Sequence, residues 1–130
     1  MVFGGYKSER YTLFRMSRRY LAFDLGAESG RAMLATLTDL KLELGELHRF
    51  ANTPVQLPTG LYWDTLRLFQ EMCEGLRVAA RQTDRIDGIA VDTWGVDFGL
   101  LGPDDALIEN PRHYRDTRTH GVPELSLIHI

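Results

Sequence analysis

Short apolar runs separated by turn residues predict three consecutive β-strands in the first half of the chain. The first run covers residues 20–25, is bounded by a glycine and carries an aspartate at its far end. A tight turn over residues 26–30 then leads into a second strand over residues 31–38. The alternating segment 41–51 supplies a third strand, and the three are expected to pair as antiparallel neighbours.

An amphipathic helix is predicted after Asp64, whose carboxylate can accept a hydrogen bond from a first-turn amide and is favoured at the positive end of the helix dipole. Apolar residues recur there at steps of three and four and predict one buried stripe: Leu66, Phe69, Met72, Cys73, Leu76, Ala79 and Ala80. The intervening charged residues are expected to face solvent: Arg67, Glu71, Glu74, Arg77 and Arg81. Gly75 permits a close approach of this helix to a sheet.

Two further strands are predicted after the helix. One is the apolar segment 87–92, which again ends in an aspartate, and the other is the segment 96–101, which precedes a Gly-Pro-Asp-Asp turn. Residues 54–60 contain two prolines and a glycine and are expected to form a loop. The order β-β-β-α-β, followed by a return strand or loop, predicts an α/β fold.

Composition and charge narrow the class of protein. The chain has 130 residues, of which 44% are hydrophobic and 25% charged, so a globular domain is expected and a disordered or collagen-like chain is excluded. The formal net charge is −3, so the chain lacks the excess of positive charge that binds nucleic acid or an anionic membrane. The single cysteine and the lack of an apolar run near the roughly 18 residues of a membrane span favour a cytoplasmic protein with a small-molecule partner.

The turn after the first strand is the first candidate site. Asp24 ends that strand, and the backbone amides of the turn and the Ser29 hydroxyl can face an anion beside a carboxylate that can bind Mg²⁺. Gly26 and Gly30 are expected to permit positive φ and close backbone approach. Neither a Walker loop nor a dinucleotide-binding fingerprint is present. The alternative interpretation is an ordinary hairpin turn with a solvated acid.

The second candidate site is the segment Asp92-Thr-Trp-Gly-Val-Asp97. It follows a buried strand, at the position where open α/β sheets place their ligands. The apolar face of a sugar can pack on Trp94 while Asp92 or Asp97 accepts hydrogen bonds from its hydroxyls, and Gly95 leaves room for it. The alternative is that Trp94 is a core anchor and the two acids face water.

The third candidate is the polar and aromatic segment 112–119. Arg115, Asp116 and Arg118 can form an ion-pair network or bind an anion, and a solvated charged face is the alternative. The histidines at positions 48, 113 and 120 lack the spacing of metal ligands, so no metal site is assigned to them.

These three clusters, in this order along the chain, resemble the amino-terminal part of proteins of the FGGY carbohydrate kinase family, in the branch that acts on L-rhamnulose. The matching segments fall within residues 19–121: Asp24-Leu-Gly-Ala-Glu-Ser-Gly-Arg31, His48-Arg-Phe50, Trp63-Asp64, Ile89-Ala-Val-Asp-Thr-Trp-Gly-Val-Asp-Phe98 and Tyr114-Arg-Asp-Thr-Arg-Thr119. The motif D-T-W-G-V-D-F followed by Y-R-D-x-R-T separates this branch from glycerol and xylulose kinases. The resemblance implies a partial ribonuclease H-like domain of the actin, hexokinase and Hsp70 superfamily.

The resemblance also implies roles for individual residues. The ATP phosphate-binding turn corresponds to Ala27, Glu28, Ser29, Gly30 and Arg31, and Asp24 takes the place of the acid that supports Mg²⁺ and the phosphates. Sugar contacts are expected from Thr93, Trp94, Gly95 and Tyr114. Asp97 is included with them because its carboxylate can accept hydrogen bonds from sugar hydroxyls. Glu28 stands where many members have a small hydroxyl residue, and it repels a triphosphate unless it faces away or helps to hold the metal.

The implied reaction transfers the γ-phosphoryl group of ATP to the 1-hydroxyl of L-rhamnulose, with Mg²⁺ as the metal cofactor. The aspartate that serves as the family's base is expected beyond this chain. A kinase for another ketose, such as L-fuculose or xylulose, is one alternative function. A non-catalytic sugar- or nucleotide-sensing module of the same superfamily is the other.

Three segments are predicted along the chain. Residues 1–15 are interpreted as an extension outside the family with Met16 as the true start, and residues 16–124 as a partial kinase domain. Residues 125–130 read Leu-Ser-Leu-Ile-His-Ile, the in-frame translation of a transposon adaptor used in library preparation, with a natural apolar tail as the alternative. The chain is thus expected to be a gene fragment without kinase turnover of its own.

Overall fold

A four-stranded sheet with one long helix packed against it dominates the computed structural model of the chain, which describes residues 17–122. The elements are, in order, β1 (Arg18–Leu25), β2 (Ser29–Thr38), β3 (Lys41–Ala51), β4 (Val55–Leu57), β5 (Gly60–Tyr62), α1 (Thr65–Gln82), β6 (Gly88–Thr93) and a 3₁₀ turn (Thr117–Thr119). The predicted extension over residues 1–15 and the predicted tail over residues 125–130 lie outside the described residues.

The strand order in the main sheet is β3-β2-β1-β6. Strands β1, β2 and β3 are antiparallel neighbours, and β6 pairs with β1 in parallel after the crossover through α1. The predicted order β-β-β-α-β is therefore confirmed. The short strands β4 and β5 form a separate antiparallel ribbon where a loop was predicted.

The core lies between the sheet and α1. Alternate residues of β1 point toward the helix, namely Leu21, Phe23 and Leu25, and all three are buried. Gly75 lies at the closest approach of helix and sheet, because a Cβ atom there would lie 2.8 Å from Ala32 Cβ and 2.9 Å from Phe23 Cε1. The close approach predicted from this glycine is confirmed.

The start of α1 matches the prediction, but its buried face is rotated. Asp64 caps the helix by accepting a hydrogen bond of 3.0 Å from the Arg67 amide. Leu66 and Phe69, predicted in the buried stripe, are 78% and 68% exposed, whereas Glu71, predicted in solvent, is buried. Ala80 is exposed as well. Three predicted members do face the sheet, namely Met72, Leu76 and Ala79, and they are joined there by Leu68, Glu71 and Gly75. Cys73, predicted in the core, is half-buried.

The segment 96–101 does not form the predicted strand. An isolated bridge between Leu101 and Leu107 is its one strand-like pairing among residues 17–122. A strand needs a neighbour for its backbone groups, and within that range β6 pairs only with β1. The alternation of apolar residues over 96–101 was therefore not sufficient to predict a strand.

Strand β6 lies at the edge of the sheet formed by residues 17–122, and α1 does not cover it. The register pairs Ile89 with Leu21 and Val91 with Phe23, which places these side chains on the helix side. Ile89 and Val91 are nevertheless half exposed, because α1 packs against β2 and β3. Within the same range, no helix has the length and apolar character needed to cross a membrane.

Candidate functional site

The candidate site lies at one end of the sheet, where the parallel strands β1 and β6 both terminate. Leu25 pairs with Thr93 at this end. The turn that follows β1 and the segment that follows β6 are thereby brought together although almost 70 residues of sequence separate them. Open α/β sheets bind ligands at this kind of position.

The turn after β1 is held by a side chain that sequence reasoning missed. Asn52, buried just after β3, donates from Nδ2 to the Gly26 carbonyl at 2.8 Å and from its backbone amide to the Glu28 carbonyl at 3.0 Å. The Gly26 amide closes the turn by donating to the Ser29 carbonyl at 3.0 Å. No motif or spacing around Asn52 indicated this role, since it depends on the pairing of β2 with β3.

The positive φ expected at Gly26 and Gly30 is not observed, and this part of the prediction is wrong. Gly30 already belongs to the extended strand β2, and a Cβ atom there would collide with the Phe50 ring. The glycine is therefore required by packing inside the sheet. The predicted phosphate-facing residues Ala27 and Ser29 are half-buried, on either side of the exposed Glu28.

A row of charged residues crosses all four strands on the face opposite the core. In register order it runs through Arg49, Arg31, Asp24 and Asp92. Arg31 pairs with Asp24, donating from Nε to its Oδ2 at 3.1 Å. The side chains of Asp24 and Arg31 remain about two-fifths exposed, so a ligand can reach both.

The donor chemistry of this row fits a magnesium ion, although no group of three or more metal-binding side chains occurs within residues 17–122. Asp24 and Asp92 are register neighbours on parallel strands, which puts two carboxylates side by side. Protein sites for Mg²⁺ commonly use one or two carboxylates and take the remaining oxygens from phosphates and water. Asp24, with Asp92 beside it, is thus chemically suited to hold such an ion.

Glu28 connects the turn to the third cluster. Its carboxylate lies 3.9 Å from the Arg115 guanidinium and is largely exposed. A pair this exposed contributes little to stability. The contact matters because it shows that residues 112–119 lie at the same end of the sheet as the turn.

An aromatic stack forms the other wall of the site. The rings of Trp94 and Trp63 are 3.9 Å apart, those of Trp63 and His113 are 4.0 Å apart, and those of His113 and Tyr114 are 4.5 Å apart. Trp63 and His113 are each 1% exposed, whereas Trp94 is half-buried and Tyr114 is exposed. The stack therefore has a buried centre and two accessible ends, which are two of the predicted sugar contacts.

Asp97 connects the second and third clusters. Its Oδ2 atom accepts hydrogen bonds from Trp63 Nε1 at 2.5 Å and from the Tyr114 amide at 3.2 Å. Sequence reasoning identified the carboxylate but not these partners, which lie 34 and 17 residues away. One of its oxygens is thus engaged by the protein itself.

His113 is neutral inside the stack. Burial lowers the pKa of its imidazole below the ordinary value, an effect partly opposed by the charge of Asp97. Its Nδ1 atom accepts a hydrogen bond of 2.9 Å from the Arg115 amide, so the ring proton is on Nε2. Within residues 17–122 that buried Nε2 atom has no hydrogen-bond partner.

The segment 112–119 is not simply a solvated charged face. Asp116 is buried and accepts hydrogen bonds from the amides of Leu61 at 2.6 Å and Arg118 at 3.0 Å. These bonds, that from Leu61 foremost, lower the pKa of the Asp116 carboxyl. Asp116 and the backbone bridge between Tyr62 and Arg112 attach the segment to β5.

A small cavity of about 180 Å³ lies beside Trp94. Its walls are mainly apolar and are formed by Trp63, Leu68, Trp94, Phe98 and Pro111. Thr65, Thr93 and Asp97 contribute its polar atoms. Gly95 lies nearby in open space, since a Cβ atom placed on it would meet nothing within 4 Å.

The chain is similar in sequence to curated rhamnulokinases. It is 41% identical over 109 residues to that of Bacteroides thetaiotaomicron and 38% identical over 109 residues to that of Oceanobacillus iheyensis, in both cases over 84% of this chain. It is 44% identical over 108 residues to the rhamnulokinase of an Enterobacter species. The chain spans only 22 to 23% of the length of these relatives, and no family model matches it.

Solved structures of sugar kinases share its fold. A gluconate kinase from Lactobacillus acidophilus superposes with a TM-score of 0.72 at 16% identity, over 88% of this chain and 23% of that kinase. A xylulose kinase from the same organism gives 0.71 at 16% identity, over 86% of this chain and 23% of that one. At these identities the superpositions establish the fold alone, and the predicted partial domain of the actin and hexokinase type is confirmed. The aligned part of this chain is thus similar in sequence to curated rhamnulokinases and shares the fold of sugar kinases.

Proposed function

We propose that this chain is the phosphate- and sugar-facing part of an ATP-dependent sugar kinase. The longer protein would transfer the γ-phosphoryl group of ATP to the 1-hydroxyl of L-rhamnulose. The observation that carries the proposal is the convergence of the three clusters at the end of β1 and β6, in a chain similar to rhamnulokinases. Phosphoryl transfer depends on holding two substrates close together, and this arrangement supplies one surface for each.

The phosphate surface comprises the turn from Ala27 to Arg31 together with Asp24. Arg31 offers a planar guanidinium that suits phosphate oxygens and that already donates to the Asp24 carboxylate. Asp24 would hold Mg²⁺, with Asp92 adjacent in the sheet. When bound, this ion neutralises charge on the phosphates and orients them.

The sugar surface comprises Thr93, Trp94, Gly95 and Tyr114, with Asp97 behind them. The exposed faces of the aromatic stack can pack on the apolar face of a ketose. Gly95 leaves open space in which a sugar can approach the backbone. Asp97 would accept a hydrogen bond from a sugar hydroxyl through Oδ1, since its Oδ2 is engaged by Trp63.

Residues 16–124 would form part of one domain, with the base for the attacking hydroxyl and the adenine contacts in segments that this chain lacks. We accordingly propose that the 130-residue chain has no measurable kinase turnover by itself. Its partners would be ATP and a small sugar in the cytoplasm, without nucleic acid or membrane.

The test is to recover the complete gene and assay its product with ATP, Mg²⁺ and a panel of L-rhamnulose, L-fuculose and D-xylulose. Preferred phosphorylation of L-rhamnulose is expected. A preference for another ketose would replace the substrate, and binding of sugars without phosphorylation of any would favour a sensing module. Turnover by the purified 130-residue chain would contradict the assignment of the base to other segments.

A further inference from the structure

The end of β3 supports the turn after β1 at two points. Asn52 binds the carbonyls of Gly26 and Glu28, through its side chain at 2.8 Å and its backbone amide at 3.0 Å. The Phe50 ring lies against Gly30 and leaves no space for a side chain there. Asn52 and Phe50 are only 5% and 7% exposed, so both supports belong to the interior. The conformation of the turn is therefore determined before any ligand binds.

The hydrogen bond to Gly26 also determines where the next amide points. In a trans peptide unit, such as that between Gly26 and Ala27, the carbonyl and the N–H group point in opposite directions. Because Asn52 holds the Gly26 carbonyl on the buried side, the Ala27 N–H points away from Asn52. Within residues 17–122, no protein acceptor engages the amides of Ala27 and Glu28. Two consecutive amides are thus left for an anion, and successive amides of this kind bind phosphate in many proteins.

Resting on the phosphate surface proposed above, we propose that Asn52 is a positioning residue for ATP, which holds the Gly26–Ala27 peptide unit so that its N–H serves the phosphates. Without the Nδ2 donor, this peptide unit could rotate. Rotation would turn the Gly26 carbonyl oxygen, with its partial negative charge, toward the place of the N–H group and would repel a phosphate. Asn52 is buried and acts through the turn, without touching ATP itself.

The first experiment measures kcat, KM for ATP and KM for the ketose in the complete kinase. Asn52→Ala should raise KM for ATP by about five- to tenfold, the effect of about one net hydrogen bond. KM for the ketose should stay unchanged, because Asn52 makes no hydrogen bond to the sugar surface. Asn52→Ser is the milder variant in case alanine impairs folding. Its hydroxyl is one bond further from the Gly26 carbonyl, so the same rise in KM for ATP is expected.

Thr83→Ala is the matched control for a general loss of stability. Thr83 is also a buried polar residue, and its hydroxyl accepts a hydrogen bond of 2.6 Å from Arg19 and donates one of 2.9 Å to the Arg85 carbonyl. Arg19 lies at the start of β1, so these bonds are at the other end of the strand from the turn. Thr83→Ala should lower the free energy of unfolding and leave KM for ATP unchanged.

An unchanged KM for ATP in the folded Asn52 variants would overturn the inference and leave the kinase function intact. The same is true if KM rises equally for ATP and for the ketose, or if Thr83→Ala raises KM for ATP as much as Asn52→Ala does. Absence of turnover in the unchanged complete kinase would instead refute the proposed function itself.

The second experiment uses the 130-residue chain and does not depend on turnover. Residual dipolar couplings in NMR measure the orientation of the Ala27 N–H bond relative to the bonds of the sheet. Asn52→Ala should change this coupling or average it toward zero, while the couplings within β1 and β2 stay as they are. Thr83→Ala should leave the Ala27 coupling unchanged. An Ala27 coupling that is the same in the parent and in Asn52→Ala would overturn the inference, whether or not the complete kinase phosphorylates a sugar.

Discussion

His48 of β3 and Glu71 of α1 are joined by a hydrogen bond of 2.6 Å across the interface between sheet and helix. The Glu71 side chain is only 11% exposed, and its second oxygen accepts a hydrogen bond of 2.5 Å from Arg67 Nε. A carboxylate is costly to bury unless its oxygens are paired in this manner. The pair therefore explains how α1 can turn a charged residue toward the sheet.

Glu71→Gln should destabilise the protein by about 1.5–3 kcal/mol at pH 7, the contribution of hydrogen bonds to a charged group. The hydrogen bond from His48, foremost, lowers the pKa of the Glu71 carboxyl below its ordinary value. Because the folded-state pKa is the lower one, this stability is complete above the unfolded pKa near 4.3 and is lost as the pH falls through the folded value. Urea unfolding at pH 7 and at pH 3 should show the difference between variant and parent shrinking.

Glu74→Gln is the control for this variant, since Glu74 lies on the same helix but forms an exposed pair with Arg77. Its effect should stay within about 0.5 kcal/mol. Equal effects of the two substitutions would mean that Glu71 is not held by His48 in the folded protein.

Gly75→Ala should destabilise the fold although alanine is the better helix former. The added methyl would lie 2.8 Å from Ala32 Cβ and 2.9 Å from Phe23 Cε1, both in the core. Overpacking of this kind costs about 1–3 kcal/mol, which exceeds the gain of about 1 kcal/mol in helix propensity. Gly45→Ala is the matched control, because nothing lies within 4 Å of a Cβ atom there. A Gly75→Ala protein with an unchanged melting temperature would contradict the close approach.

These residues also mark what the sequence could and could not predict. Apolar periodicity, the Asp64 cap and Gly75 were sufficient for the order of the elements along the chain and for the start of the helix, because each depends on local pattern and backbone geometry. The periodic pattern predicted Glu71 in solvent because its side chain is charged. Its burial depends on His48, a partner 23 residues earlier in the chain, which the pattern does not reveal. Long-range pairing of polar groups has no local signature.

The same reasoning applies to the candidate site. The motifs placed Asp24 and Trp94 at the ends of strands, and the structure brings those strand ends together. The residues that organise the site were missed, because Asn52 and His113 act through contacts that exist only in the folded chain. Sequence patterns thus located the candidate side chains at the strand ends, but they did not reveal the residues that hold those ends in place.

His113 should make the fold sensitive to mild acid. Burial lowers the pKa of its imidazole, so the folded state resists protonation more than the unfolded state does. Stability should therefore be complete above the unfolded pKa near 6.5, decline as the pH falls toward the folded value, and level off below it. His113→Phe keeps an aromatic ring in the stack and should remove the part of this decline that begins at pH 6.5.

The measurement is the free energy of unfolding at pH 7.5, 6.5 and 5.5 for the parent and the variant. His120→Gln is the control, because it removes a histidine that is exposed and lies outside the aromatic stack. If His113→Phe retains the same decline between pH 6.5 and 5.5 as the parent, His113 is not the group responsible.

Asp24→Asn in the complete kinase should lower kcat by about two orders of magnitude or more with the fold intact. The amide keeps the shape of the side chain but removes the charge that is proposed to hold Mg²⁺. Asp39→Asn, in the turn between β2 and β3 at the other end of the sheet, should leave kcat unchanged. Near-normal kcat in a folded Asp24→Asn protein would remove Asp24 from the site and leave the turn as a structural hairpin.

Asp97 should act on the site through Trp63 as well as on any bound sugar. Its Oδ2 atom joins Trp63 Nε1 and the Tyr114 amide, so Asp97→Ala should leave the buried indole without a partner. We expect a loss of about 1.5–3 kcal/mol in unfolding free energy and a weaker near-UV circular dichroism signal from the stacked tryptophans. Asp97→Asn retains an acceptor oxygen and should lose less.

Asp92→Ala provides the comparison that separates the two roles of Asp97. Asp92 is exposed at the same end of the sheet, so its removal should change stability by no more than about 0.5 kcal/mol. If Asp97 only contacted sugar, Asp97→Ala would likewise leave the stability of the fold unchanged and would only raise KM in the complete kinase. Equal stability of Asp97→Ala and Asp92→Ala would therefore contradict the structural role of Asp97. A loss of unfolding free energy in Asp97→Ala alone would establish that this carboxylate orders the aromatic wall before any sugar binds.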